Sequence, residues 1–471
     1  MNDANACTSL ILRRFFEKFH ALTYHGVSVS RYIYYRFYGS FLVHRWNLDW
    51  VKKNSPSLQE EIGKMADCDV FHCLEEPYPY DPHPDGVILI RDDLGGFAAS
   101  CLPQESFFII SPTQAKAEAA QKSLPDIAVH NFEEYYRANP AAVHSLNDQV
   151  VQIVNAQKDD PIFGSSDLLE WLTGKMPEIV RELDAARLLF EILDVSVVLS
   201  VTALSGMDSA LTLIAKSNRI PSLTLQHGLI ADTSLFAHIP LQATQKAVWG
   251  EMTRDWYQRL GYPESRIVVT GSPRYDIIFH RQWWGQKKLR QMVGAGPNQK
   301  IMVFATGTDT PTIIPLVLEG LKALPEVFLI ISLHRREGPI DLYKKLAVGY
   351  CNYIIIPFGE INLYDSLSGA DFFITHCSTA ALEAMLFKIP VITMESTPPH
   401  FSYGDAGASI RVRHASELAR VVRRLIDDQE FRADAINRYR EFLAAYCLTD
   451  DLAGKRFFEK AEQIRRSGGS V

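Results

Sequence analysis

"THCSTAALEAMLFKIPVIT" (Thr375–Thr393) sets hydroxyls directly after an apolar run and a single acid one helical turn later among alanines. The run before it, "DFFIT" (371–375), reads as a buried strand, and "PVIT" (390–393) reads as another. A helix of about ten residues lies between them, so the unit is strand–helix–strand with almost no loop. A parallel crossover of this kind brings the helix N-terminus beside the carboxyl end of the strand, where open α/β sheets bind ligands.

With Ser378 as the cap of that helix, its hydroxyl and the amides of Thr379 and Ala380 form an anion site. Ala380, Ala381 and Ala384 keep this end sterically open. A plain capping box would need Glu or Gln three residues after the cap. Position 381 is Ala, so capping does not account for Glu383. Thr379 and Glu383 share one stripe of the helix, while Leu382, Met385 and Leu386 supply its buried face. A phosphate held at the cap would leave its ribose about one turn along, where a carboxylate can accept from two vicinal hydroxyls. The plain alternative is an ordinary capped helix with an exposed acid.

A chain of 471 residues is too long for one core and predicts two domains or more. Its 47% hydrophobic and 22% charged content is that of an ordinary globular protein. A net charge of −7 argues against wholesale nucleic-acid binding. The charge is uneven: residues 1–54 carry a net +5 and hold the aromatic run "RYIYYRFYGSF" (31–41). That segment suits either an anionic membrane face or helices packed on the domain with their arginines reaching to solvent. Seven scattered cysteines without a C-x-x-C fit a reducing cytosol and offer no disulfide framework or zinc site. The first apolar stretch is broken by "RRFFEK", so no signal peptide is expected, and no run reaches 18 apolar residues. The expectation is a cytoplasmic protein, at most peripheral at the inner face of a membrane.

Short apolar runs recur at α/β spacing along the chain, from "DVFHCL" (69–74) and "GVILIRD" (86–92) to "PVIT" and "ASIRV" (408–412). Helical patterns such as "DSALTLIAKS" (208–217) and "SELARVVRRLI" (416–426) lie between most of them. Continuous β-rich runs alternating with helices mean parallel sheets covered on both faces. The fold class is therefore α/β, with two doubly wound Rossmann-like domains facing across a cleft. A polar stretch after "TGSPRYD" (270–276) marks the break, giving domains at 1–277 and 278–445. A closing segment, 446–471, is expected to pack back on the first domain.

The opening stretch resembles the donor-site motif of glycosyltransferases with the two-domain GT-B fold. More narrowly it resembles the group of CDP-glycerol glycerophosphotransferases, bacterial surface-polysaccharide transferases and UDP-N-acetylglucosamine 2-epimerases. "IPSLTLQHG" (220–228) is similar to that group's strand ending in Gln-His-Gly, and "VWGEMTRDWYQRLGYPESRIVVTGSPRYD" (248–276) to its closing TG-x-P-R-x-D segment. The matches fall in order across residues 220–395, whereas residues 1–190 carry no usable resemblance.

The resemblance implies that Ser378 and Thr379 meet the donor phosphate and Glu383 the ribose, with His376 in the same donor site. "SLHRRE" (332–337) stands where the group often has Lys-x-His-Pro meeting the diphosphate; His334 matches, and Arg335 replaces the proline. Arg335 and Arg336 either neutralise a leaving phosphate or form a solvated pair. Thr306 and Gly307, in "FATGTDTP" (304–311), make a strand-to-helix turn suited to a second phosphate or acceptor contact. Residues 353–367 occupy the place that usually lines the nucleobase.

His227 ends a buried strand and precedes Gly228, so it is a candidate base for the acceptor hydroxyl. Bonding to a backbone carbonyl or to the donor phosphate are the other readings. Asp208 in "SGMDSA" and Asp92/Asp93 in "IRDDLGG" are rival bases, each at a strand-to-helix turn. "DCD" (67–69) precedes its strand rather than following one, and no His pair has zinc spacing, so neither a metal nor another cofactor is expected. The reading is a transferase moving a sugar or polyol phosphate from a nucleotide-activated donor to a glycan or lipid-linked glycan, with an anionic membrane surface as a further candidate partner. A nucleotide-sugar 2-epimerase and a non-catalytic binding partner are the alternatives.

Overall fold

The computed structural model describes residues 2–67, 69, 74–76, 78–307, 310–334 and 340–467, and the backbone of 469–470. The chain forms two compact units. The first comprises Met1–His227, Ser234–Pro273 and Leu452–Val471; the second comprises Gly228–Thr233 and Arg274–Asp451.

The first unit is built on a parallel seven-stranded sheet. Its strands are β1 (Val87–Arg91), β2 (Phe107–Ser111), β3 (Val129–Asn131), β4 (Val195–Ser200), β5 (Ser222–Leu225), β6 (Gln245–Val248) and β7 (Ile267–Val269). They lie in the order β7-β6-β5-β4-β1-β2-β3. Every residue of β4, β5 and β6 is buried, as a sheet covered by helices on both faces requires. The winding starts at β1, runs outward to β3, then resumes on the other side at β4. The switch point is thus between β1 and β4.

The second unit repeats this plan with six parallel strands: β8 (Lys300–Ala305), β9 (Val327–Ser332), β10 (Tyr353–Ile356), β11 (Phe372–Thr375), β12 (Val391–Met394) and β13 (Ile410–Val412). Their order is β10-β9-β8-β11-β12-β13, so the switch point falls between β8 and β11. Met302, Phe304, Leu329, Ile331, Phe372, Ile374 and Ile392 from these strands join Ile313, Val317 and Leu418 from the helices in one core.

The expected break after 277 falls inside the helix Pro273–His280, whose first residue belongs to the first unit and whose second belongs to the other. The closing helix Ala453–Ser467 packs on the first unit, against β4 and the helix Asp92–Cys101.

The basic aromatic segment folds as packed helices. Tyr32, Tyr34, Phe37 and Phe41 are buried, and Phe37 stacks on Phe15 with ring centroids 4.2 Å apart. Its arginines reach acids far away in the chain: Arg31 pairs with Glu76, Arg36 with Glu178 and Glu182, and Arg45 with Asp167. Much of the aromatic area and three of the arginines of this segment are engaged within the first unit, as the packing alternative expects. No helix among the described residues is long and apolar enough to cross a membrane. Because Phe37 is fully buried in this aromatic cluster, Phe37→Ala should lower the unfolding free energy of the first unit by about 3–5 kcal/mol. Urea titration followed by near-UV circular dichroism reads the loss.

Candidate functional site

At the switch point of the second unit the ends of β8 and β11 border a cavity of about 470 Å³, a size typical of small-molecule sites. Its walls carry Thr306 and Gly307 from the β8 end, Thr310, His334 from the β9 end, and Thr375 through Thr379 from the β11 end, together with His400. Hydroxyls and imidazoles dominate the polar wall, and no carboxylate lines the cavity among the described residues. Six of the sequence candidates therefore meet at one site: Thr306, Gly307, His334, His376, Ser378 and Thr379.

Their local bonding differs from the expected turn and cap. The helix after β11 spans Ala380–Leu386, shorter than expected, and its cap position is Thr379, which makes no side-chain cap bond. Ser378 lies one residue earlier, and its Oγ accepts from the Ala380 amide at 3.2 Å. Thr375 orders this stretch: its Oγ1 donates to Ala305 O at 3.1 Å and accepts from Ser378 N at 3.3 Å. At the β8 end the Gly307 amide is already engaged, donating to Thr310 Oγ1 at 2.6 Å, so it is not an open phosphate donor. Thr306 Oγ1 accepts from the His334 amide at 2.8 Å, tying two strand ends together. His376 is 8% exposed, and its Nδ1 donates to Met394 O at 2.9 Å. Arg335, and Arg336 beside it, lie outside the described residues.

Glu383 is neither an exposed acid nor part of the cavity wall. It is fully buried, and its Oε1 accepts from Arg274 and, at 3.4 Å, from Tyr364. Its Oε2 has no hydrogen-bond partner among the described residues. Burial holds the carboxyl above the ordinary carboxylate range against the pull of Arg274 and Tyr364. Arg274 comes from the "TGSPRYD" segment, and nothing in the sequence around either residue announces this pairing.

The first unit fills its own switch point with charge. Arg91, the last residue of β1, is 8% exposed and pairs with Asp92, Asp208 and, at 3.6 Å, Asp93. Asp92 Oδ1 accepts from Arg91 Nε at 2.7 Å, and Asp92 Oδ2 accepts from Ser111 Oγ, so both oxygens are engaged. Asp208 bonds Arg91 through Oδ2, while its Oδ1 is buried and has no hydrogen-bond partner among the described residues. A positive φ of 62° at Gly206 turns the chain into the helix Gly206–Ser217 that carries Asp208. Burial pushes the Asp208 carboxyl up to about 6, opposed by Arg91. The structure thus joins the carboxylate candidates Asp92, Asp93 and Asp208 around an arginine that the sequence reading passed over. A single cation ending a buried strand directly before two acids was the available signal.

His227 follows β5, is exposed, and its ring centroid lies 6.2 Å from that of His238. Both line a small cavity of about 20 Å³, enough for one water, with Thr224 and Lys246. Lys246 is a buried amine whose Nζ donates to Leu225 O at 3.2 Å, and burial pulls it down to about 7. A lysine opening the apolar run "KAVWG" (246–250), behind only Gln245 in its strand, was the sequence signal for it.

No protein-family model and no curated protein matches this chain. Among solved structures it is similar to the UDP-GlcNAc 2-epimerase from Neisseria meningitidis bound to UDP-GlcNAc, with 13% identity over 80% of this chain and 99% of that one, at a TM-score of 0.54. It is also similar to the S. aureus MnaA–UDP complex, with 12% identity over 80% and 96% of the two chains and a TM-score of 0.53. A glycosyltransferase from Rickettsia africae matches 81% of this chain and 100% of its own at 12% identity, with a TM-score of 0.48 too low to argue from. At such identities the likeness is one of fold: this chain has the paired Rossmann-like units of the GT-B class, in the company of 2-epimerase-like structures.

Proposed function

We propose that this chain is a nucleotide-sugar-dependent glycosyltransferase, or a transferase of a polyol phosphate, that extends a surface glycan or lipid-linked glycan. The observation that carries the donor half is the hydroxyl- and imidazole-lined cavity at the switch point of the second unit, which no carboxylate lines among the described residues. That is the crevice where open α/β sheets hold nucleotides, and a diphosphate would meet Ser378, Thr379, His334 and His376 there. Two similar solved structures are complexes with UDP-GlcNAc and UDP, which supports a uridine nucleotide as the first candidate. Glu383 Oε2, buried and without a hydrogen-bond partner among the described residues, is the acceptor we assign to a ribose hydroxyl, which requires that seating a nucleotide opens a path from the cavity to it.

The first unit would take the acceptor and supply the base. His227 is the primary choice because it is exposed at a strand end beside Gly228. Asp208 is preferred to Asp92 among the carboxylate rivals, since its free oxygen and raised affinity for a proton suit it to the role while both oxygens of Asp92 are occupied. A 2-epimerase is the second reading, favoured by the similar solved structures that are themselves named as 2-epimerases. Incubation with UDP-, GDP- and CMP-activated sugars separates the two. Nucleotide release that depends on an acceptor supports transfer, and an altered sugar still attached to its nucleotide supports epimerisation.

His227→Ala should cut turnover at saturating donor by about 10²–10⁴-fold while leaving the melting temperature and donor affinity close to those of the parent. Turnover preserved per bound donor would pass the role to Asp208. For Glu383→Ala, calorimetry should show UDP affinity weakened by about 1–3 kcal/mol. The melting temperature should fall as well, because Arg274 loses its partner; a fall with unchanged affinity would make Glu383 scaffold only.

Asp208 also predicts a pH signature. Its folded-state carboxyl binds its proton more tightly than the unfolded chain does, so its contribution to stability is complete below about pH 4 and lost as pH rises through about 6. Relative to Asp208→Asn, the parent should therefore lose stability on the order of 1–3 kcal/mol between these pH values, measured as the difference of two urea titrations. Parallel curves across the range would mean that Asp208 titrates normally.

A further inference from the structure

The cavity of the second unit contains a feature that nucleotide binding does not use. Cys377 lies on its wall, partly exposed, and the Cys377 Sγ is 3.0 Å from Nδ1 of His400, which is itself exposed and lines the same cavity. The His400 backbone is fixed in turn, its carbonyl accepting from Thr233 Oγ1 at 2.6 Å. We propose that Cys377 and His400 form a reactive thiol–imidazole pair, and that covalent modification of Cys377 by an alkylating electrophile or a disulfide closes the cavity to nucleotide.

The chemistry follows from the contact. The thiolate is the nucleophilic form, and a neighbouring imidazole that takes the thiol proton supplies it as a thiolate–imidazolium pair near neutral pH. The sulfur lone pair then attacks the electrophile. With iodoacetamide a C–S bond forms, iodide leaves, and the proton stays on His400 until solvent removes it. With a small-molecule disulfide, one S–S bond breaks, a mixed disulfide forms on Cys377, and the second thiolate departs. In either case a group of several atoms is added to the wall between Thr375 and Ser378, in the space a diphosphate would need.

The other described cysteines lack this setting. Cys7 is buried, and burial pushes its thiol up to about 12. Cys447 is buried and donates to Leu448 O at 3.6 Å. Cys101 and Cys351 are exposed, which makes them internal references for ordinary solvent-accessible thiols.

This inference rests on the nucleotide reading only for what modification blocks, so the test has two separate arms. In the first, the full chain is treated with limiting iodoacetamide at pH 7, and each cysteine-containing peptide is followed by mass spectrometry. Cys377 should be alkylated about tenfold faster than Cys101 and Cys351. Both His400→Ala and His400→Gln, each confirmed as folded by its melting temperature, should bring it down to their rate. Equal rates in the parent, or a rate indifferent to His400, overturn the proposal.

The second arm adds saturating UDP. Bound UDP, verified by calorimetry, should slow alkylation of Cys377 by about tenfold or more while leaving Cys101 and Cys351 unchanged, and fully alkylated protein should no longer bind UDP. UDP that binds without shielding Cys377, or that still binds after alkylation, overturns the closure. Absence of binding to untreated protein would instead sink the nucleotide reading, and the first arm would still decide the thiol.

Discussion

A parallel sheet whose strand order reverses cannot cover the carboxyl ends of its two central strands, because the helices that follow them leave toward opposite faces. Both units of this chain are built on that constraint, and they treat the resulting crevice in opposite ways. In the second unit the residues around it are small or hydroxylated, namely Thr306, Gly307, Thr375 and Ser378, and a cavity stays open. In the first unit Arg91 ends one central strand and Asp208 stands in the first turn of the helix after the other, and the pair occupies the crevice with charge. Topology dictates where a site can be, and side-chain size and charge decide what kind of site it is.

Two buried carboxylates mark these regions, and they share an arrangement. Glu383 and Asp208 each offer one oxygen to an arginine, while the other oxygen has no hydrogen-bond partner among the described residues. A buried acceptor left without a donor costs free energy that ordinary packing would avoid. In each case burial outweighs the neighbouring arginine and holds the carboxyl above its usual range. Departures from polar satisfaction often mark places where a protein binds or reacts, and these two carboxylates lie beside the switch points.

The alternating strands and helices were legible along the chain because fully buried parallel strands are written as continuous apolar runs, which need no distant partner to be recognised. "VSVVLSV" and "SLTLQHG" became β4 and β5 much as their composition suggests. The cavity was partly legible for the same reason: polar residues at the ends of such runs must gather at one edge of a parallel sheet, and Thr306, His334 and Ser378 do. The basic aromatic segment was less legible. Its charge pattern looked like a surface, but the acids that neutralise Arg36 and Arg45 sit on the helix Ser166–Ile192, more than a hundred residues on.

By itself, then, the sequence determined the periodicity of strand and helix, the pairing of two Rossmann-like units, and the set of polar residues at strand ends, since all of these follow from local composition. Only the tertiary structure decided how those residues are used. It withdrew Gly307 from the phosphate site by closing its amide on Thr310, and it buried Glu383 under Arg274. It also gathered Arg91, Asp92 and Asp208 into one cluster and set Cys377 against His400. The physical reason is the same throughout: hydrogen bonds and ion pairs join groups by distance in space, and a chain discloses distance in space only once its strands have taken their order in the sheet.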